Sequence, residues 1–186
     1  DGAVGAPALT NTGDLDTGIY FPAGNQLAIA TQGVQRELFD ADGHITRPTQ
    51  SAFLVRPTTD QDDIASGGDV TIVWGTEIFD QNSDFASNTF TAPVTGKYLL
   101  AVTIRLQNID TASTFYRISL ITSNRTYDQI MDPGGLSTDP AFWNFSMSVV
   151  ADMDAADTVT VAINQYTGTA QTDIETLSSF SGYLLG

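Results

Sequence analysis

Apolar and polar residues alternate with a period of two over long stretches in the second half of the chain. Tyr98, Leu100, Val102, Ile104 and Leu106 fall on one side of such a stretch. Successive side chains of a β-strand point to opposite faces of its sheet, so this period indicates a strand with one buried face. We therefore predict a long strand from Tyr98 onward, with this apolar row packed against a core.

Two later stretches show the same alternation, and no stretch shows a convincing helical period. Their alternating apolar residues are Trp143, Phe145, Met147 and Val149 in the first stretch and Val159, Val161 and Ile163 in the second. Turn signals such as Asp132-Pro133-Gly134-Gly135 separate the strand candidates, of which residues 51–186 hold eight to ten. Many strands joined by such turns predict an all-β sandwich or barrel, and this number is typical of a jelly roll.

The strand that begins at Tyr98 also has apolar residues on its second face. Leu99 and Ala101 lie opposite the main apolar row. A strand that is apolar on both sides needs to be covered on both sides. In a chain of this size, we expect another subunit to provide the second cover.

The first 48 residues differ in character and are rich in small residues. Two short strands are predicted at Leu27–Ala30 and Val34–Phe39, joined by a hairpin turn, and a second turn is predicted at Asp40–Gly43. An isolated hairpin is marginal in water, so this segment must be covered, and identical neighbouring chains are the simplest cover. We therefore predict a stalk or trimerisation segment at residues 1–48 and a head domain at residues 49–186.

Composition removes several classes of function. The chain of 186 residues has 22 acidic and 7 basic side chains, a net charge of -15 and no cysteine. Such acidity repels phosphate backbones and anionic membranes, so we expect no nucleic-acid partner. No apolar run approaches the roughly 18 residues of a spanning helix, so we expect no membrane insertion. The chain opens with Asp1 and not with Met, which predicts that it is part of a longer protein.

Two segments of the second region resemble a known family. Phe90–Leu100 and Phe180–Leu185 resemble the signature and the closing strand of the complement component 1q globular-head family, a branch of the tumour-necrosis-factor-like jelly rolls. The residues that carry this fold signature are Phe90, Gly96, Tyr98, Phe180, Gly182 and Tyr183. The resemblance spans residues 51–186 and implies a jelly-roll sandwich that forms a homotrimer. With the first region, the predicted fold is a trimeric all-β jelly-roll head with a short β-hairpin stalk segment.

The first region resembles a different group of proteins. Thr12–Pro22 and Gly33–Arg36 are similar to a repeat found in tail-fibre and structural proteins of tailed bacteriophages, and the resemblance covers residues 10–45. It implies a virion tail fibre as the location, outside the cell.

Catalysis is not expected. His44 is the only histidine, and a Ser-His-Asp triad built on it would have to lie in the stalk segment. Close carboxylate pairs such as Asp62 with Asp63 arise by chance among nineteen aspartates, and a compact head offers no extended sugar cleft. We predict that the protein is not an enzyme.

Calcium is the one cofactor for which the acidic loops supply suitable ligands. Hard cations bind clusters of carboxylates and loop carbonyls. The weak metal candidates are Asp60, Asp62, Asp63, Asp69 and Asp132. No cluster completes a known ligand spacing, so solvated acidic loops are the favoured alternative. The resembled family often binds calcium near the apex of its trimer.

Aromatic residues in loops are the first candidates for receptor contacts, since aromatic side chains dominate recognition patches. Trp74 and Trp143 continue apolar rows and are assigned to the core. The receptor-binding candidates are Tyr127, Tyr166, Asn124, Arg125 and Phe142.

Together these features predict the C-terminal receptor-binding tip of a bacteriophage tail fibre, which attaches a virion to its host. The expected partners are two further copies of the chain and a host cell-surface glycan or protein. Two alternatives stay open. One is a structural module that trimerises or caps a virion fibre without a receptor of its own, and the other is a secreted complement-like bacterial adhesin.

Overall fold

A computed structural model describes all 186 residues as an all-β protein. Its strands are β1 Gly2–Ala3, β2 Ala6–Pro7, β3 Leu9–Asn11, β4 Asp14–Tyr20, β5 Leu27–Thr31, β6 Val34–Phe39, β7 Ile45–Thr46, β8 Ala52–Arg56, β9 Asp69–Thr71, β10 Thr76–Asp80, β11 Phe85–Ala86, β12 Thr89–Thr91, β13 Gly96–Gln107, β14 Tyr116–Thr122, β15 Thr126–Met131, β16 Phe142–Met153, β17 Thr158–Gln165, β18 Asp173–Ile174 and β19 Ser179–Leu184. The helical content is one 3₁₀ turn, Pro133–Gly135. None of the structure's helices has the length and hydrophobicity needed to cross a bilayer.

The chain divides into two compact units, Asp1–Gln50 and Ser51–Gly186. The boundary predicted from the sequence, after residue 48, lies just before this division. Each unit has its own sheets and its own buried cluster.

The second unit consists of two antiparallel sheets. The front sheet has the strand order β10-β8-β19-β13-β16, with β18 paired to the end of β13. The back sheet has the order β11-β12-β17-β14-β15, with β9 paired to β17. Neighbours in both sheets are mostly distant in sequence, as in a jelly roll, and the predicted fold class is confirmed.

The core lies between the two sheets and matches the predicted apolar rows. The five residues from Tyr98 to Leu106 on β13 are at most 3% exposed, and Val159, Val161 and Ile163 on β17 are fully buried. In the row on β16, only Phe145 is fully buried, and the other three residues pack half-buried against the core. Trp74 is buried as predicted.

Four aromatic rings pack against one another in this core. The Phe53 ring stacks on Phe85 and Phe90 at centroid distances of 5.2 and 4.7 Å and meets Phe180 edge-on at 5.0 Å. Gly182 lets the last strand approach this cluster, because a Cβ at this position would lie 2.8 Å from both Phe53 and Leu100.

The unit has twelve strands where the sequence predicted eight to ten. The excess consists of strands of two or three residues: β9, β11, β12 and β18. Such strands are too short to show an alternating pattern, because periodicity needs at least four residues to be visible.

The outward face of the front sheet, on the side away from the core, carries an apolar patch. Leu54, Phe79, Leu99, Ala101 and Tyr183 line a hollow of about 370 Å³ together with neighbouring residues. Phe79 and Tyr183 are 48% and 45% exposed. The second apolar face predicted for β13 is thus part of a wider apolar surface, which we call the outward patch.

The strand registers define two ends of the sandwich. At the proximal end, Leu184 donates to the Ser51 carbonyl and Lys97 donates to the Gly186 carbonyl, so the first and last residues of the unit lie here. At the distal end, Gln107 pairs with Phe142, and Tyr116 pairs with Gln165. Four loops cluster at this distal end: residues 57–68, 108–115, 132–141 and 166–172.

The first unit is a five-stranded antiparallel meander, β3-β4-β5-β6-β7, with a small β1–β2 ribbon. The predicted hairpin is present, and its turn residues Gln32 and Gly33 have φ of 53° and 66°. Tyr20, Ala28 and Ala30 form a small buried cluster on one face. The other face carries a second set of apolar side chains, of which some are half-buried and others exposed: Leu9, Ile19, Leu27, Ile29, Phe39 and Ile45.

Candidate functional site

Aspartate carboxylates join the distal loops to one another and to the segment 173–176 that follows the last of them. Asp60 accepts the backbone N–H of Thr176 at 2.7 Å, and Asp173 accepts that of Asp63 at 2.9 Å. Asp139 accepts both the N–H and the hydroxyl of Thr111. Each bond connects segments far apart in sequence, so much of the acidity at this end holds loops in place.

Asp110 makes the most buried of these connections and is 5% exposed. Its carboxylate accepts the N–H groups of Ala112 and Thr169, and its own N–H donates to the Tyr116 hydroxyl. Burial raises the pKa of Tyr116, whose hydroxyl also lies 2.7 Å from the Thr172 hydroxyl. The phenol therefore stays neutral, and it links the core to the loops above it.

Two distal carboxyl groups have lowered pKa values. The hydroxyl of Thr111, followed by its N–H group, lowers the pKa of Asp139 below the ordinary value of 3.8. The Asn164 amide, with the Arg117 guanidinium, lowers the pKa of Asp69 in the same way. Both groups are therefore ionised at neutral pH and act as acceptors only.

The lowered pKa of Asp139 predicts that acid weakens the fold through this bond. A carboxyl group whose pKa is lower in the folded state stabilises the fold above its unfolded value, and this contribution is lost as the pH falls through the folded value. We expect the free energy of unfolding of the wild type to fall more steeply than that of Asp139→Asn between about pH 5 and about pH 2. Parallel curves, measured by denaturant titration, would contradict this, and Asp62→Asn serves as the charge-matched control.

The tight contact between Gly168 and Asp110 gives a second prediction. Gly168 has φ +85°, and a Cβ there would overlap the Asp110 carboxylate, whereas Gly67 has φ +88° and open space around it. Gly67→Ala should cost about 1 kcal/mol from the backbone alone, and Gly168→Ala about 2–4 kcal/mol because a clash is added. Chemical denaturation of both variants measures the difference, and equal losses would show that the contact is loose.

A hollow of about 500 Å³ opens between the distal loops, lined by Asp63, Asn108, Asp139, Pro140, Ala141 and Gln171. On the adjoining loop, the Tyr166 ring stacks parallel to Phe115 at 4.9 Å with an interplanar angle of 2°. Tyr166 is 47% exposed, so its ring presents a flat face to solvent.

The receptor-binding candidates predicted from the sequence do not lie together. Tyr166 and Phe142 are at the distal end, and the Phe142 ring lies 4.8 Å from the Arg105 guanidinium. Asn124 and Arg125 are at the proximal end, where Asn124 donates to Asp157 and Arg125 pairs with Asp152.

The assignment of Tyr127 and of Phe142 to loops is wrong. Phe142 is the first residue of strand β16 and pairs with Gln107. Tyr127 lies within strand β15, pairs with Leu120 and packs half-buried against the core. Its immediate neighbours Thr126 and Asp128 are polar, and the other apolar residues of the strand, Ile130 and Met131, are adjacent, so no alternation was visible.

The five calcium candidates all lie at the distal end, but the structure brings no three of them together around one point. Asp69 pairs with Arg117, Asp60 accepts the Thr176 N–H, and Asp132 caps the 3₁₀ turn through Gly134. The three-residue set with ligand atoms close together is Asp40, Asp42 and His44 in the first unit. There, Asp40 accepts the N–H groups of Asp42 and His44, so this segment is the predicted turn.

Most residues that line the distal hollow were not predicted as site residues from the sequence. Asn108, Asp139 and Gln171 were not singled out, whereas Asp63 was a calcium candidate. The turn chemistry of Asp139-Pro140 was a signal for a loop, but nothing in the sequence pairs it with Thr111 or Gln171.

Two antiparallel sheets in jelly-roll order around one core define a β-sandwich of the kind shared by complement and tumour-necrosis-factor-like heads. The C1q domain family matches residues 52–185, and the chain belongs to this family. The fold signature predicted from the sequence lies within the matched residues. The first unit lies outside the match, and no curated protein sequence matches the chain.

Solved structures show the same fold at low identity. The globular domain of zebrafish complement 1qA protein is 16% identical, with a TM-score of 0.54 over 74% of this chain and 98% of that one. Murine APRIL at pH 8.5 is 13% identical, with a TM-score of 0.52 over 73% of this chain and 99% of that one. At these identities the likeness establishes the fold of the second unit alone.

Proposed function

We propose that the protein is a homotrimeric, extracellular tail-fibre tip that attaches a bacteriophage virion to its host by non-covalent recognition. The observation that carries the proposal is the outward patch on a head of the C1q family. The resemblance of residues 10–45 to tail-fibre repeats supplies the virion context.

The outward patch supports self-association of the head. Large apolar side chains such as Phe79 and Tyr183 are half exposed there, next to Leu54, Leu99 and Ala101. A contiguous apolar surface on a protein marks an interaction site. Such a surface is often covered by another copy of the same chain in a symmetric homo-oligomer. Association through this patch removes its side chains from water.

The first unit supports the same assembly. Its meander is a single sheet, and Leu9 and Ile45 on its less covered face are 67% and 53% exposed. A single layer needs a partner to bury its apolar face. Trimerisation of the head raises the effective concentration of the three first units, which then cover one another as a stalk segment.

The distal end is the proposed recognition surface. Its loops stand on a rigid sandwich and are fixed by carboxylate bonds such as that between Asp139 and Thr111. Loops held by a rigid scaffold are a common place for binding residues. Three identical sites on one particle can hold a surface through contacts that are weak individually.

Binding to intact host cells tests the receptor role. The purified full chain should bind susceptible cells, saturate, and compete with virions for adsorption. A trimer that neither binds cells nor competes would leave the alternative function, a structural module that trimerises or caps the fibre.

A further inference from the structure

The distal hollow is lined mainly by groups that bind hydroxyls. Asp63 and Asp139 contribute carboxylates, and Asn108 and Gln171 contribute amides. Carboxylates and amide carbonyls accept hydrogen bonds from hydroxyl groups, and amide N–H groups donate to hydroxyl oxygens. Pro140 and Ala141 supply the small apolar part of the lining.

Three of these groups are already oriented by bonds to neighbouring loops. The Asp139 carboxylate is held by Thr111 and by the Gln171 amide, which lies 3.2 Å away. The Asn108 amide donates to Asp173 at 2.7 Å. A ligand that binds here does not have to order these side chains, so less entropy is lost on binding.

The stacked Phe115–Tyr166 pair at the distal end is also held by hydrogen bonds between its loops. The Thr114 N–H and hydroxyl both lie 3.0 Å from the Thr167 hydroxyl, which follows Tyr166 directly. Thr167 has φ 106°, a conformation that is costly for a β-branched residue and persists only where the surroundings impose it. The Tyr166 ring is thereby held on the loop that also contributes Gln171 to the hollow, and it is 47% exposed.

Charge at this end disfavours anionic ligands. No arginine or lysine lines the hollow, and two carboxylates do. The nearby Arg105 and Arg117 are paired with Glu175 and Asp69. A sulfate, phosphate or carboxylate group would meet like charge without an available cation.

From these features, and resting on the proposed function, we infer that the distal hollow and the Tyr166 ring bind an uncharged, hydroxyl-rich glycan. Sugar hydroxyls bond to Asp63, Asp139, Asn108 and Gln171. The apolar face of another sugar ring of the same glycan packs on Tyr166, because an aromatic side chain gives a large apolar contact at low entropic cost.

A glycan panel with the full chain tests the inference. Neutral oligosaccharides are compared with sulfated and sialylated oligosaccharides of the same length, followed by titration of the best neutral binder. Asp63→Gly removes a lining carboxylate at a position where φ is 51°, which glycine adopts without strain. Asp62→Gly, on the adjacent exposed residue outside the lining, is the matched control, and Tyr166→Ala removes the ring.

We expect neutral glycans to bind, and Asp63→Gly and Tyr166→Ala each to weaken binding about tenfold or more, with Asp62→Gly unchanged. Melting temperatures of all variants show whether the fold is retained. Preference for acidic glycans, or equal affinity of folded Asp63→Gly, Tyr166→Ala and wild type, overturns the inference. Cell binding without any glycan binding overturns the inference and leaves the proposed function standing. If the protein binds neither cells nor glycans, both the inference and the proposed receptor role are overturned.

To separate the sources of a neutral glycan, host cells stripped of capsule are compared with cells that lack the outer lipopolysaccharide sugars. Loss of binding in either case identifies the source and supports the inference. Unchanged binding to both, with no competition by the free oligosaccharide, overturns it.

Discussion

Replacing Tyr183 with aspartate should convert the proposed trimer into monomers, so that the mass in solution falls from three times 19.8 kDa for the wild type to 19.8 kDa for the variant. Tyr183 lies on the outward patch and is 45% exposed, so the substitution leaves the core of the single chain intact. In a trimer that uses this patch, each copy would bury a carboxylate. The penalty for burying an unpaired ion is several kcal/mol, about the size needed to abolish a moderate interface.

The control for this variant is Ile130→Asp. Ile130 is an exposed apolar residue, 61% accessible, on strand β15 of the back sheet. It receives the same charge, but it lies outside the outward patch, so the variant should remain trimeric. Light scattering at several concentrations distinguishes the two. A monomeric wild type, or a trimeric Tyr183→Asp, would show that the patch is not the interface.

Phe180→Ala should have the largest effect on the stability of the head. Phe180 is fully buried and its ring contacts Phe53, Trp74 and Phe85 at centroid distances of 5.0, 5.9 and 6.2 Å. Removing a buried phenyl ring loses its transfer free energy and leaves a cavity that the stiff aromatic neighbours cannot fill. The expected loss is about 3–5 kcal/mol.

Phe142→Ala is the matched control, because Phe142 is the same residue type at 51% exposure. The loss there should stay below about 1 kcal/mol, since the ring contributes mainly its contact with Arg105. Denaturant unfolding of both variants at one protein concentration gives the comparison, because the stability of the proposed trimer would depend on concentration. Similar losses for the two would mean that the aromatic cluster adds little to the fold.

The long strands could be read from the sequence, whereas the distal site could not. Every second residue of Tyr98–Leu106 is apolar and belongs to one row. Because successive side chains of a strand point to opposite faces, this alternation predicted the row that is buried in the structure. The bonds that build the distal end join Asp60 to Thr176 and Asp63 to Asp173, which are 116 and 110 residues apart. No local sequence pattern predicts hydrogen bonds between residues so far apart. The sequence therefore showed that these loops are acidic, but not which groups their carboxylates bind.

The first unit shows a smaller failure of the same kind. Strand β4, Asp14–Tyr20, was not predicted, although Leu15, Thr17 and Ile19 alternate with Asp14 and Asp16. Its apolar residues are diluted by acids and glycine, and its pairing with β3 and β5 makes it a strand. Tertiary pairing outweighs weak local preference in such segments.

The donors in the distal network have a consequence for how this surface can change over generations. Asp60, Asp110 and Asp173 accept from the main chain at Thr176, Thr169 and Asp63. Every residue except proline supplies a backbone N–H, so nearly any side chain at the donor positions leaves the bond in place. Substitutions of exposed side chains in these loops therefore leave these backbone hydrogen bonds in place. The chemistry of the surface can change during evolution while the conformation of the loops is kept.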